Sequence, residues 1–142
     1  MSFLRIWVHL VFSTKNREPN LSCEVRLLVI KHIIENCKKK NIFLQAIGGY
    51  SEHLHCLISL GCQQSVAEVA RLIKGESSNW INKKQFVLGR FAWQDDYFAV
   101  SVSESLRAKV ENYIKKQEEH HRTKPFNDEI KELMNKYGRL KE

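Results

Sequence analysis

The apolar residues of this chain change period along its length, and the order of those changes leaves few folds open. Leu4, Ile6, Val8, Leu10 and Phe12 share one parity, while Arg5, Trp7, His9, Val11 and Ser13 take the other. That alternation describes a strand with one core face and one mixed face. After a polar turn holding Lys15, Arg17 and Pro19, the residues Val25, Leu28, Val29, Ile33 and Cys37 fall at helical spacing. The lysines at 38–40 give this first helix a cationic end that suits its dipole. Strands are predicted over 42–50, closing on Gly48 and Gly49, and over 53–60, the two forming a hairpin. Ser65 with Glu68 reads as a capping box, opening a second helix whose stripe runs through Val66, Val69, Ala70, Ile73, Trp80 and Ile81. A fourth strand over 97–102 leads, through a second capping box at Ser101 and Glu104, into a third helix over about 104–121. Beyond Pro125 a short basic amphipathic helix spans about 127–137. The order strand, helix, strand, strand, helix, strand, helix is that of a ferredoxin-like split βαβ fold. The expected class is therefore α+β: an antiparallel sheet with helices on one face, plus an added C-terminal helical segment.

Composition narrows the setting. An apolar fraction of 43% over 142 residues is enough for one domain spanning 1–142 with a core of its own. The early apolar stretch is interrupted by Arg5 and His9 and is too short to cross a bilayer, so a cytoplasmic protein is expected. Cys23, Cys37, Cys56 and Cys62 have neither metal-ribbon nor disulfide-framework spacing, which points to reduced thiols, with Cys56 packing as a small hydrophobe. Twenty-three Lys and Arg against sixteen Asp and Glu give a net charge of +7, suited to a polyanionic partner.

The residues that carry chemistry come in two pairs. In the predicted third strand Leu54, Cys56, Ile58 and Leu60 point one way, leaving His53, His55, Leu57 and Ser59 on the other. A His-x-His spacing is the shortest way for a strand to aim two imidazoles at one ion. Tyr113 and Gln117 stand four apart on a helix, one above the other, able to face one ion-bound phosphate. Plainer readings compete at this point: surface histidines in ordinary hydrogen bonds, and a Tyr113 packed in the stripe of Leu106, Val110 and Ile114 with its hydroxyl at the rim. A tyrosine nucleophile needs help, because a phenol of pKa near 10 is only about 0.1% ionised at neutral pH and full ionisation costs roughly 4 kcal/mol. A divalent cation and surrounding basic groups supply that help. The basic candidates are Lys15, Arg17, Arg71, Lys74, Arg107, Lys115 and Lys116. The adjacent His120 and His121 diverge on a helix and form no site, and Asp95–Asp96 reads as a turn. A metal-water nuclease would want convergent carboxylates, and Glu52 has the wrong parity for that. No phosphate-binding glycine loop, serine triad or dinucleotide fingerprint is present.

These segments together resemble the single-tyrosine HUH transposases of bacterial insertion sequences, the TnpA type of the IS-two-hundred group. The resemblance runs from Trp7-Val8-His9-Leu10-Val11-Phe12-Ser13-Thr14-Lys15, through His53-Leu54-His55, Ile73-Lys74-Gly75 with the serines after it and Trp93-Gln94-Asp95-Asp96-Tyr97-Phe98, to Tyr113-Ile114-Lys115-Lys116-Gln117-Glu118-Glu119-His120-His121. It implies His53, His55 and Gln117 as metal ligands and Tyr113 as the nucleophile, carried on the C-terminal helical segment. It further implies cleavage and rejoining of single-stranded DNA through a 5′-phosphotyrosine, with Mg²⁺ as the working ion and Mn²⁺ also active. The implied partners are DNA hairpins at element ends and a second copy of the chain, with possible exchange of the tyrosine helix between subunits. Lys15, Arg17, Arg71, Lys74, Lys115 and Lys116 are the residues expected to hold nucleic acid. The alternatives are a non-catalytic hairpin-binding module and a domesticated relative acting on dispersed chromosomal hairpins.

Overall fold

The computed structural model describes residues 2–120 and 125–136. Its centre is an antiparallel sheet of four strands in the order β2-β3-β1-β4. The strands are β1 Trp7–Ser13, β2 Phe43–Tyr50, β3 His53–Ser59 and β4 Phe98–Val102. Strand β1 pairs with both β3 and β4, which makes it central and buries nearly all of it. The alternation beginning at Leu4 does not become strand before Trp7, because Trp7 already faces the last residues of its partners, Ser59 and Val102. Leu4 and Ile6 accordingly lie exposed.

Helices α1 (Cys23–Lys39) and α2 (Val66–Lys84) cover one sheet face. Ser22 caps α1 and Ser65 caps α2, the latter accepting from the Glu68 amide at 3.1 Å. The core on this side holds Leu10, Phe12, Leu54, Cys56 and Ile58 of the strands against Val29, Ile33, Val69, Ile73 and Ile81 of the helices. Cys56 is buried there as a hydrophobe, and all four thiols are free. No helix among the described residues is long and apolar enough to cross a membrane.

The remaining helices are α3 (Arg107–Lys115), α4 (Gln117–His120) and α5 (Phe126–Lys136). They lie across the other face. Helices are expected on one face only, but the second face is covered too, by a smaller core in which Trp7, Ala46, Leu57 and Val102 of the sheet meet Ile114 of α3. The approach is close: a Cβ built on Gly48 of β2 would stand 2.2 Å from the Ile114 carbonyl oxygen, so only glycine lets α3 settle there. A bulge at Gln45 on the same edge strand sends its side chain to Glu111 of α3 at 3.1 Å.

Two further details depart from the sequence reading. Ser101 does not cap a helix; it lies in β4 paired with Val8, and Glu104 begins a 3-10 turn in which it accepts from the Trp7 indole. The single helix expected over 104–121 is broken at Lys116, which separates α3 from α4. His121 and Tyr137, expected at helix ends, lie outside the described residues.

Candidate metal and nucleophile site

Strand parity brings the first pair together. In β3 the even residues enter the larger core, so His53 and His55 project from the opposite face, where α3, α4 and α5 bury both completely. Burial leaves each ring nitrogen in need of a named partner. His53 turns Nδ1 to the Glu52 carboxylate at 2.7 Å, and His55 turns Nδ1 to Nε2 of His9 on β1 at 2.8 Å. A carboxylate only accepts, so His53 donates from Nδ1, and its Nε2 faces the Gln117 amide oxygen. Desolvation lowers the pKa of His9 to about 4, which keeps it neutral and able to accept from His55 Nδ1. Both imidazoles are thereby held by Nδ1, with Nε2 of each turned to the same side, toward Gln117 and Glu129, the kind of arrangement that orients metal-binding histidines.

The second pair arrives on α3 and α4. Gln117 is buried, with Oε1 3.0 Å from His53 Nε2 and Nε2 3.1 Å from Glu129. Although the helix breaks at Lys116, the Gln117 amide nitrogen also reaches back to the Tyr113 carbonyl at 3.4 Å, keeping the two residues stacked. Tyr113 is partly buried, its ring edge-on to His55 at 5.7 Å and to His9 at 6.2 Å. It is both a packed aromatic and a residue whose hydroxyl reaches the site, donating to the Glu129 carboxylate.

Glu129 is the residue that sequence reasoning missed. It lies on α5 and is 1% exposed, with Oε1 3.2 Å from His55 Nε2 and 3.6 Å from His53 Nε2. A signal for it exists: Phe126, Ile130, Leu133 and Met134 make an apolar stripe, and Glu129 occupies a stripe position three residues after Phe126. Burial, then the charges of Glu52 and Glu132, raise its pKa to about 8. Phe126 stacks on the His53 ring at 4.1 Å and carries the Arg17 guanidinium on its outer side at 5.2 Å.

The donor set fits a divalent cation. Ligand atoms of His53, His55 and Glu129 all lie within 4.8 Å of one another, and donors bound to one ion at about 2.1 Å stand roughly 3 to 4 Å apart. With the Gln117 oxygen they form a mixed nitrogen and oxygen set.

The basic candidates are dispersed. Arg17, and Lys15 beside it in the turn after β1, stand at the edge of the site. Arg71 and Lys74 belong to α2 and line a groove of about 570 Å³ with Arg90 and Tyr97. There Arg71 is paired with Glu68, and Lys74 donates to the Asp95 and Asp96 carbonyls at 2.8 and 3.3 Å. Lys115 and Lys116 are exposed at the end of α3, the former bonded to Glu111 at 2.8 Å.

Comparison with known proteins identifies the family and the fold. The sequence profile described as "Transposase IS200 like" matches residues 2–117. The ISDra2 transposase TnpA of Deinococcus radiodurans is 27% identical over 115 residues, covering 77% of this chain and 81% of that protein. A crystal structure of a transposase from Deinococcus radiodurans superposes with a TM-score of 0.64 at 21% identity, covering 83% of this chain and 95% of the other. The structure of a REP-associated tyrosine transposase bound to a REP hairpin superposes with a TM-score of 0.61 at 16% identity, covering 82% and 68%. With the profile aligned from the residues before β1 through Gln117, the chain belongs to the IS200-like transposase family.

Proposed function

We propose that this transposase cuts and rejoins single-stranded DNA through Tyr113, with Mg²⁺ or Mn²⁺ held by His53, His55 and Gln117. The observation that carries the reading is that a single carboxylate, Glu129, touches the Tyr113 hydroxyl with one oxygen and the imidazole pair with the other. Nucleophile and ligand atoms are therefore one small anion apart, the separation a scissile phosphodiester needs. When bound, the cation polarises a phosphoryl oxygen, a contribution of several kcal/mol in such sites.

The chain's own residues do the rest. Glu52 and His9 engage the Nδ1 side of the two imidazoles, which turns both Nε2 atoms toward the site. The Tyr113 oxygen attacks phosphorus, forming one P–O bond while the bond to the 3′ oxygen breaks, and the phenol proton is balanced by the released 3′ hydroxyl. Because the bond count is conserved, a 3′ hydroxyl from another strand reverses the step without an energy source. Tyr113 and the imidazoles come together within this one chain, which supports a site completed in cis.

Gln94 and Tyr97 line both the basic groove of Arg71 and Lys74 and a second groove that reaches Arg17 and Phe126. That continuity supports a track in which a hairpin stem lies along α2 and its single-stranded flank passes Lys15 and Arg17 to the site. Lys115 and Lys116 offer further phosphate contacts. The REP-hairpin complex of a structural neighbour supports hairpins as the substrate. A homodimer acting in the cytoplasm completes the proposal, carried over from the family resemblance.

The test uses oligonucleotides from the flanks of the coding region, incubated with Mg²⁺ or Mn²⁺, with mass analysis of any linked peptide. The wild-type protein is expected to yield an adduct on Tyr113, and Tyr113→Phe none, with hairpin binding retained. An adduct in the Phe variant refutes the assignment.

A further inference from the structure

The geometry points to Glu129 as an exchangeable occupant of the reaction centre: its carboxylate holds the place of the scissile phosphate, and DNA enters by displacing α5. This rests on the function proposed above and adds to it a residue beyond Gln117, outside the stretch that matches the family. A carboxyl group and a phosphodiester each present two terminal oxygens to their surroundings. Glu129 places Oε1 against Nε2 of both histidines, at 3.2 and 3.6 Å, and gives Oε2 to the Tyr113 hydroxyl and the Gln117 amide. An attacked phosphorus must stand about 3 to 3.5 Å from the nucleophilic oxygen, and that volume is filled by this carboxyl group. Glu129 and a reacting phosphate exclude one another.

The seating of α5 agrees with a part that leaves. A cavity of about 230 Å³ between α3 and α5 is lined by His9, Val110, Tyr113, Glu129 and Leu133. On its other flank a groove of about 490 Å³ is lined by Phe12, Arg17, Phe126, Ile130 and Met134. Unfilled space thus borders the helix on both sides. Phe126, stacked on His53 beneath Arg17, anchors its start. The same Arg17 that now covers Phe126 becomes available to an incoming phosphate once α5 moves.

The experiment compares wild type with Glu129→Gln, which keeps the size of the side chain and replaces one of its two carboxyl oxygens by an amide nitrogen. MnCl₂ alone and the oligonucleotide dT20 alone are the probes, read by calorimetry and anisotropy. Hydrogen exchange over 126–136 is followed with and without dT20. Glu129→Gln is expected to bind Mn²⁺ about tenfold more weakly and dT20 severalfold more tightly. In wild type, saturating dT20 with Mn²⁺ is expected to speed exchange over 126–136 at least tenfold while α1 and α2 stay unchanged. Unchanged affinities in Glu129→Gln, undiminished protection of 126–136 with dT20 bound, or no dT20 binding by either protein would each overturn the proposal. A Tyr113 adduct formed while 126–136 stays protected faults only the displacement of α5. Release of α5 by dT20 without an adduct at target flanks faults only the chemistry.

Discussion

Replacing Gly48 by alanine probes the contact that sets the nucleophile. The added Cβ would lie 2.2 Å from the Ile114 carbonyl oxygen and 3.2 Å from its carbon, with rigid backbone on both sides. Ordinary C···O contacts begin near 3.3 Å, so α3 and β2 must separate by about 1 Å. Overpacking of that kind costs about 1–3 kcal/mol. Ile114 follows Tyr113 directly, so the same shift carries the phenol with it, and a misplacement of about 1 Å at a reacting group costs on the order of 100-fold in rate. Urea unfolding gives the first quantity, and the rate of Tyr113 adduct formation in the fully folded range gives the second. Gly75→Ala in α2 is the control for stability: its added Cβ meets nothing within 4 Å, and a helix-interior replacement of this type gains about 0.5–1 kcal/mol. If Gly48→Ala matches wild type in both stability and rate, the close approach of α3 to β2 does not position the tyrosine.

Three other outcomes are expected. Glu52→Gln exchanges the carboxylate that accepts from His53 Nδ1 for an amide, and Mn²⁺ affinity measured by calorimetry is expected to fall about 10- to 100-fold; an unchanged affinity would show that Glu52 does not orient the ring. Mn²⁺ at about 100 times its Kd stabilises the fold by roughly 2.7 kcal/mol, so the wild-type melting temperature should rise by several degrees; a variant with both His53 and His55 changed to alanine should show no such rise, and an equal rise in it would place the ion elsewhere. Ser77→Ala leaves the buried Trp93 indole N–H, now 2.9 Å from Ser77 Oγ, without its acceptor, and is expected to cost about 1–3 kcal/mol in urea unfolding; a loss within error of zero would refute that.

The parts of this molecule legible in the sequence are those governed by local period. Alternation in β3 separates Leu54, Cys56 and Ile58 from His53 and His55, and the structure keeps that division. The i,i+4 relation of Tyr113 and Gln117 survives even the break at Lys116, because the Gln117 amide bonds back across it. Relations between distant segments were not legible. Alternation in β1 does not say how far the partner strands extend, so Leu4 and Ile6 read like Val8 and Leu10. Nothing local says that Ile114 would close on Gly48, or that the mixed face would be covered. Glu52 was set aside as a ligand by its parity, which is sound, yet the same position beside His53 suits it to hold that ring. Glu129 reads as one more charge among Asp128, Lys131 and Glu132 until its place in the apolar stripe of α5 is counted.

Two kinds of support meet at the Tyr113 hydroxyl, and they differ in permanence. From one side the phenol is held by the smaller core: Ile114 is fully buried against Trp7, Ala46, Leu57 and Val102, and Trp7 is itself fixed by Glu104 and the Arg107 guanidinium at 5.5 Å. These are contacts of packed sheet and helix, which hold a side chain within the tolerance a displacement at phosphorus requires. From the other side the hydroxyl is met by Glu129, on a helix bordered by cavities and stacked on His53 through Phe126. On the proposed chemistry, a Tyr113 fixed by core packing and capped by a replaceable carboxyl group needs no movement of its own when DNA arrives. The reorganisation falls on α5, and the free energy of that exchange, rather than any repositioning of Tyr113, sets how readily a single strand gains the site.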